Sequence, residues 1–158
     1  MYNICGNGRE DRDLKTAIIY YSNHHGNTKK VLDAIKAENE VELIDITTDK
    51  DKDLSAYERI GIASGIYYSN IAKPLLAYAS ERLPEEREVF FIGTCGSKRK
   101  GYFDAIRSVT DEKKCRYLGE FLCMGYDTFG PFKLVGGIAK GHPTKDEMAD
   151  AVKFYKGL

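Results

Sequence analysis

The sequence has few of the patterns that mark metal, disulfide or membrane proteins. Its four cysteines, Cys5, Cys95, Cys115 and Cys123, form no CxxC pair, and the chain has only three histidines. A metal site and a thioredoxin-like function are therefore poorly supported. No secretion signal and no run of about 18 apolar residues is present, so we expect a cytoplasmic chain with reduced thiols.

An excess of charge of one sign is also lacking. Lys and Arg together number 24, Asp and Glu together number 24, and the formal net charge is zero. This balance argues against nucleic acid and against an anionic membrane surface as partners. The 158 residues are enough for one domain with a full core. Residues 1–14 are polar and without hydrophobic period, so we expect a tail there and the domain over residues 15–158.

The chain does have a regular alternation of apolar strand patterns and amphipathic helix patterns. The strand patterns lie at residues 16–22, 41–46, 59–63, 88–92 and 117–123, and the helix patterns start near residues 28, 71, 103 and 144. This alternation predicts an α/β fold: a doubly wound, five-stranded parallel sheet with helices on both faces. The expected strand order is 2-1-3-4-5, in which ligands bind beyond the carboxyl ends of the strands where the winding reverses.

The first strand pattern runs directly into the loop from Ser22 to Thr28, which has the composition of an anion site. Gly26 permits a tight turn, Asn27 tolerates unusual backbone angles, and a helical pattern begins at Thr28. Hydroxyl and amide donors at a helix N-terminus suit a phosphate, because free backbone N–H groups and the helix dipole converge there. The alternative is an ordinary turn that caps the helix.

The same loop excludes several phosphate-binding motifs. It lacks the glycine spacing and Lys-Ser/Thr ending of a nucleoside-triphosphate loop, and it lacks GxGxxG. A phosphatase loop needs an Arg six positions after a Cys, whereas Cys95 is followed at that distance by Gly101. The remaining pattern resembles the phosphate loop of the flavodoxin family, with a Ser-to-Gly spacing one residue longer and His24-His25 in place of a Thr. The resemblance implies that the 5′-phosphate of FMN is held by Ser22, Asn23, His24, His25, Gly26, Asn27 and Thr28.

Two further loops, residues 63–70 and 93–102, are expected at the same edge of the sheet. The resemblance to flavodoxins implies that they surround the flavin ring, with Tyr67 or Tyr68 as an aromatic wall. The candidate ring contacts are Ser64, Gly65, Ile66, Tyr67, Tyr68, Thr94, Cys95, Gly96 and, as a second possible wall, Tyr102. The alternatives are core or surface roles for the tyrosines and plain turn chemistry for the small residues. Cys95 has no clear His or Asp partner, so we interpret it as a wall residue rather than a nucleophile.

A glycine-rich segment, Met124 to His142, separates the last strand pattern from the last helix pattern. It contains five glycines with interspersed aromatic residues. A stretch of this length without periodic structure indicates function or disorder, and its aromatic residues argue against disorder. We interpret it as a loop that folds beside the flavin site or covers the sheet edge; a packing arm without ligand contact is the alternative.

The resemblance implies an FMN-binding carrier that passes electrons between protein redox partners, without catalytic residues or a metal. The sequence has no evident acid–base dyad, metal cluster or nucleophile triad, which suits a carrier. Two alternatives remain open. One is a flavodoxin-like, NAD(P)H-dependent FMN or quinone reductase, and the other is a flavin-free interaction module.

Overall fold

The computed structural model of the chain describes residues 14–23, 25–127 and 130–158. The tail expected at residues 1–14 therefore lies, apart from Leu14, outside the described residues. His24 of the predicted phosphate loop lies outside them as well.

Strands and helices alternate along the described chain as the sequence predicts. The strands are β1 (Thr16–Tyr21), β2 (Glu42–Asp45), β3 (Arg59–Tyr67), β4 (Asn70–Ile71), β5 (Glu88–Cys95) and β6 (Arg116–Met124). The α-helices are α1 (Asn27–Glu38), α2 (Lys73–Arg82), α3 (Asp104–Glu112) and α4 (Lys145–Lys156), and a 3-10 helix spans Gly130–Val135. Thr144 caps α4 in a complete capping box with Glu147, as the sequence spacing predicts.

The main sheet has the order β2-β1-β3-β5-β6, and its neighbouring strands run parallel. Counting only these five strands, the order is 2-1-3-4-5, so the predicted doubly wound architecture is confirmed. In this register Ile19 lies beside Ile44 on one side and Ile62 on the other. The winding reverses between β1 and β3, which places a crevice at their carboxyl ends.

The core has two halves, one on each face of the sheet. Alternate residues of a strand point to opposite faces. Ile19 and Phe91 accordingly pack in one buried cluster with Leu75 of α2 and Ile106 of α3. The residues next to them in sequence pack in the other cluster, which contains Ile18, Phe90, Leu32, Ile35 and Val152. Helices α1 and α4 cover this second face.

The region after residue 63 differs from the sequence prediction. The predicted strand ends at residue 63 and is followed by a loop over residues 63–70, but β3 continues to Tyr67. Ser64 and Gly65 extend the pairing with β5, and Ile66 and Tyr67 pair antiparallel with the short strand β4. The helix predicted from residue 71 consequently starts at Lys73. The prediction was wrong here because the pairing of Ser64 and Gly65 with β5 outweighs their weak strand propensity and continues the strand to Ile66 and Tyr67.

Candidate functional site

The three predicted loops meet in a crevice at the carboxyl edge of the sheet, where the winding reverses. Its described lining consists of Ser22, Asn27, Thr28, Gly65, Ile66, Tyr67, Thr94, Cys95, Gly96, Gly125, Tyr126 and Asp127. The enclosed volume is only about 20 Å³. The fold thus brings most of the predicted site residues together, and it adds three residues from the glycine-rich segment.

The N-terminus of α1 opens toward this crevice. Gly26 is the N-cap residue with φ of 64°, a left-handed conformation, and as a glycine it has no side chain with which to cap the helix. A Cβ added to Gly26 would meet no atom within 4 Å, so the space in front of the turn is open. The backbone N–H of Lys29 donates to Ser22 Oγ at 3.3 Å. The other N–H groups of this first turn and the helix dipole make the turn suitable for an anion.

A pair of buried hydroxyl groups joins the first and third loops. Thr28 Oγ1 and Thr94 Oγ1 are 2.9 Å apart, and both residues are buried. Either oxygen can be the donor. The hydrogen bond fixes the start of α1 against the end of β5, so two loops of the predicted site form one rigid wall.

Asn27 has an amide group that is only half satisfied. Its Nδ2 donates to the carbonyl oxygen of Tyr126 at 2.8 Å, which identifies the other amide atom as the oxygen. Asn27 Oδ1 is buried and accepts no hydrogen bond from the described residues. A buried acceptor without a donor costs about 1–3 kcal/mol. A hydroxyl-bearing ligand in the crevice would supply the missing donor.

Ser64 supports the loop rather than facing the crevice. Its Oγ donates to the carbonyl oxygen of Gly65 at 2.6 Å and accepts from the backbone N–H of Ala72 at 3.0 Å. The side chain therefore ties the end of β3 to the start of α2. The Gly65 carbonyl, which the sequence suggested as a ring contact, is engaged by this hydroxyl.

A larger cleft lies on the other side of Tyr67. It encloses about 430 Å³, and its described lining consists of Tyr21, Asn23, Tyr67, Tyr68, Asn70, Ile71, Ala72, Lys73 and Pro74. The ring of Tyr67 packs edge-on against that of Tyr21, with centroids 6.3 Å apart. Tyr68 is 83% exposed. The volume is in the range of small-molecule sites, roughly 300–1,000 Å³. Tyr67 lines both the crevice and the cleft.

Tyr68 and Ser69 form the turn between β3 and β4, and both have left-handed backbones. Their φ angles are 48° and 63°. Two-residue hairpin turns of this kind usually contain Asn or Gly, because side chains with a Cβ are strained there. The turn holds Tyr68 out into solvent beside the cleft.

Cys95 and Tyr102 are held by their surroundings. Cys95 Sγ contacts the carbonyl oxygen of Cys123 at 3.4 Å, and burial raises the pKa of the Cys95 thiol to about 11. A thiol with that pKa is almost fully protonated at neutral pH and is a poor nucleophile. Tyr102 is buried, and its hydroxyl donates to the carbonyl oxygen of Ser97 at 2.6 Å. Tyr102 is not among the described residues that line the crevice or the cleft.

The start of the glycine-rich segment, residues 125–127, lines the crevice, a contact that the sequence left open. The backbone N–H of Gly125 donates to the carbonyl oxygen of Cys95 at 2.8 Å, and Asp127 pairs with Ile138 as an isolated antiparallel bridge. A Cβ at Gly96 would lie 2.5 Å from Ile138 Cδ1. The ring of Tyr126 packs on that of His25 at 4.4 Å between centroids. Residues 125–127 are therefore crevice residues that the sequence analysis did not name; their signal was the glycine spacing.

Glu147 anchors both ends of this segment. Its carboxylate contacts His142 Nδ1 at 2.8 Å and accepts from the backbone N–H of Thr144 at 2.7 Å and of Met124 at 3.4 Å. Burial acts to raise the pKa of Glu147, but these hydrogen bonds outweigh burial and hold the pKa below its ordinary value. The exit of β6 and the start of α4 are thus fixed to one side chain.

Within residues 14–23, 25–127 and 130–158, no three His, Cys, Asp or Glu side chains cluster as a metal site requires. No helix in those ranges is long and apolar enough to cross a membrane.

The strand order and the loops at the switch point define a flavodoxin-like α/β protein. A family model described as the flavodoxin domain matches residues 18–120, and the chain belongs to this family. Over 147 residues it is 31% identical to the uncharacterized protein MJ0298 of Methanocaldococcus jannaschii. The alignment covers 92% of this chain and 98% of that relative.

Two solved structures illustrate the range of proteins that share the fold. A flavodoxin from the domain Archaea superposes with a TM-score of 0.65 at 18% identity, over 89% of this chain and 93% of that chain. The apo form of an NADH:FMN oxidoreductase superposes with a TM-score of 0.61 at 15% identity, over 91% of this chain and 87% of that chain. At these identities the likeness establishes the fold alone.

Proposed function

We propose that this protein binds FMN non-covalently and carries electrons between protein redox partners. The observation that carries the proposal is the convergence of three loops on the N-terminus of α1 at the switch point of the sheet. FMN, when bound, supplies the redox chemistry, and the protein supplies binding, orientation and electrostatics.

The residues present suit the two polar parts of FMN. The open turn at Gly26, the N-terminal N–H groups of α1 and the hydroxyl of Ser22 would hold the phosphate. Asn27 Oδ1, buried without a donor, would accept a hydrogen bond from a hydroxyl of the ribityl chain. His25 and Asn23 border this region. A role of His24 in binding the phosphate stays a prediction.

The crevice, at about 20 Å³, is too small to enclose the ring, so the ring would lie against its outer lining beside the larger cleft. Tyr67 lies between the crevice and the cleft, which suits a wall for a planar ring, and exposed Tyr68 stands beside it. Ile66, Thr94, Cys95 and Gly96 line the same crevice. Ser64 and Tyr102 would act by holding the two loops in place, because their hydroxyl groups bond to loop carbonyls.

An NAD(P)H-dependent FMN or quinone reductase is the second candidate. The cleft beside Tyr67 favours it, since about 430 Å³ next to the proposed ring site would accommodate part of a second substrate. Anaerobic mixing of the FMN-loaded protein with NADH or NADPH separates the two. A carrier stays oxidised until a protein donor is added, whereas a reductase loses its flavin colour with the nucleotide alone.

Titration with FMN and with riboflavin, followed by flavin fluorescence, tests the phosphate assignment. We expect FMN to bind more tightly, and Ser22→Ala to weaken FMN by about 1.5–3 kcal/mol, the worth of a hydrogen bond to a charged group. Riboflavin has no phosphate, so its affinity should change little. Ser108→Ala, which removes an exposed hydroxyl on α3, is the control and should leave both affinities unchanged. Equal losses for the two flavins would show that the loop does not hold the phosphate.

A further inference from the structure

Two stretches of the chain near the carboxyl edge of the sheet contain basic residues and no acidic ones. The whole sequence is balanced, yet residues 96–103 and 128–145 contain six Lys or Arg and no Asp or Glu. We call these six side chains the basic rim: Lys98, Arg99, Lys100, Lys133, Lys140 and Lys145. All six residues are exposed.

The two loops of the basic rim are in contact with each other and with the flavin crevice. Gly96, at the start of the first loop, is so close to Ile138 of the second that an added Cβ would clash. Gly96 also lines the crevice, together with Cys95 and Tyr126. The six cations therefore stand on the two loops that border the proposed cofactor site.

The cations of the basic rim are not held in ion pairs by the described residues, although Asp104, Asp127 and Asp146 directly flank the two stretches. None of the six cations forms an ion pair with a residue of the described chain. Elsewhere in the described chain, seven Lys or Arg residues do so: Lys29, Lys52, Arg59, Arg82, Arg107, Arg116 and Lys156. Exposed cations that are not held in ion pairs raise the positive potential at this end of the molecule, which attracts an anionic partner to that end.

Apolar side chains are exposed at the same edge. The large apolar residues with the greatest exposure in the described chain are Leu134 at 89%, Tyr68 at 83% and Val135 at 73%. Leu134 and Val135 lie in the 3-10 helix within the second loop, and Tyr68 lies in the turn beside the cleft. Apolar contacts surrounded by charge are the anatomy of a transient protein interface, whereas a phosphate backbone requires only the cations.

We propose that the basic rim, with Leu134 and Val135, docks an acidic redox protein whose carboxylates surround its own redox centre. The proposal rests on the proposed FMN function, because docking there brings the partner's centre to the flavin crevice. With a reduced iron–sulfur protein as partner, each encounter would oxidise one cluster, and the single electron released would go to FMN held by the crevice residues.

Two variants that lose the same number of positive charges test the docking surface. The rim variant carries Lys98→Gln, Arg99→Gln and Lys100→Gln. The control variant carries Lys36→Gln, Lys113→Gln and Lys153→Gln. These three cations lie at the C-terminal ends of α1, α3 and α4, away from the carboxyl ends of the strands. Each variant loses three positive charges, so an effect of net charge alone would appear equally in both.

The measurements use an acidic plant-type ferredoxin as probe and basic cytochrome c as its counterpart. Binding of labelled ferredoxin to the apo and FMN-loaded protein is followed by fluorescence anisotropy, and electron transfer by stopped-flow absorbance. We expect affinity and rate to fall as salt rises from about 20 to about 200 mM. At low salt we expect the rim variant to lose roughly tenfold or more in both quantities, while the control variant retains them.

The outcomes separate this proposal from the proposed function. If the wild-type protein does not bind FMN, the proposed function is rejected. The anisotropy of labelled ferredoxin with the apo protein would still show whether the basic rim binds an acidic partner. Ferredoxin binding that is independent of salt, or equal in the two variants, would overturn the proposal. Tighter binding of cytochrome c, or of a single-stranded oligonucleotide, would overturn it as well.

Discussion

At the scale of single residues, Glu147 connects the end of β6 with the start of α4. Its carboxylate is 18% exposed and accepts three hydrogen bonds from residues on both sides of the glycine-rich segment. Because its pKa in the folded protein lies below its ordinary value of 4.5, it stabilises the fold above that pH. This contribution is lost as the pH falls through the folded pKa.

We expect Glu147→Gln to lower the free energy of unfolding at pH 7 by about 1.5–3 kcal/mol, since hydrogen bonds to a charged group are lost. The difference from the wild type should shrink below pH 4.5, where the wild-type carboxylate also becomes protonated. Urea denaturation at several pH values measures both effects. Glu81→Gln on the exposed face of α2 is the control and should have little effect. A constant difference down to pH 3 would show that the charge of Glu147 is not what matters.

At the scale of elements, the β3–β4 hairpin carries backbone strain at its turn. Ser69 has φ of 63°, and a left-handed conformation costs a residue with a Cβ roughly 1–2 kcal/mol. We expect Ser69→Gly to raise the free energy of unfolding by about 1 kcal/mol, less the entropy that glycine gains in the unfolded chain. Thermal unfolding followed by circular dichroism measures the change.

The control for the turn is Ser80→Gly. Ser80 is an exposed residue inside α2, where glycine is about 0.5 kcal/mol less favourable than serine. Opposite signs for the two serine-to-glycine changes would establish the strain at Ser69. Destabilisation in both would mean that the turn prefers serine.

At the scale of the whole molecule, the half of the core that α1 and α4 cover packs directly against the backbone of Gly61 in the central strand β3. A Cβ there would lie 2.5 Å from Phe90 Cζ and 2.9 Å from Ile18 Cγ1. We expect Gly61→Ala to lower the free energy of unfolding by about 1–3 kcal/mol, because the packed core must shift. Gly157→Ala is the control, since its Cβ would meet only ordinary contacts at 3.5 Å. Urea denaturation that gave equal midpoints for the wild type and Gly61→Ala would show that this part of the core is loosely packed.

The fold was predictable because its signals are local and repeated. The type of each element follows from its own residues: residues 17–20 form an apolar run, and α4 has one apolar face. The alternation of strands and helices along the chain then determines the topology of the parallel sheet. Strand β4 was not predictable, since its two residues have no pattern of their own and depend on pairing with Tyr67. The loops of the site follow from the topology, but the part of the lining formed by residues 125–127 does not. It depends on contacts such as that of Asn27 with Tyr126, which are 99 positions apart.

The hydrogen bond between Thr28 and Thr94 has a directional consequence. Each hydroxyl has one proton to donate, and the bond between the two oxygens uses only one of the two protons. If Thr28 gives its proton to an anion at the start of α1, Thr94 must donate to Thr28 and has none left for the crevice. If Thr94 donates to a ligand instead, Thr28 must donate to Thr94. The direction of this one buried hydrogen bond therefore couples the proton donors at the two ends of the crevice. No movement of the backbone is needed for this coupling.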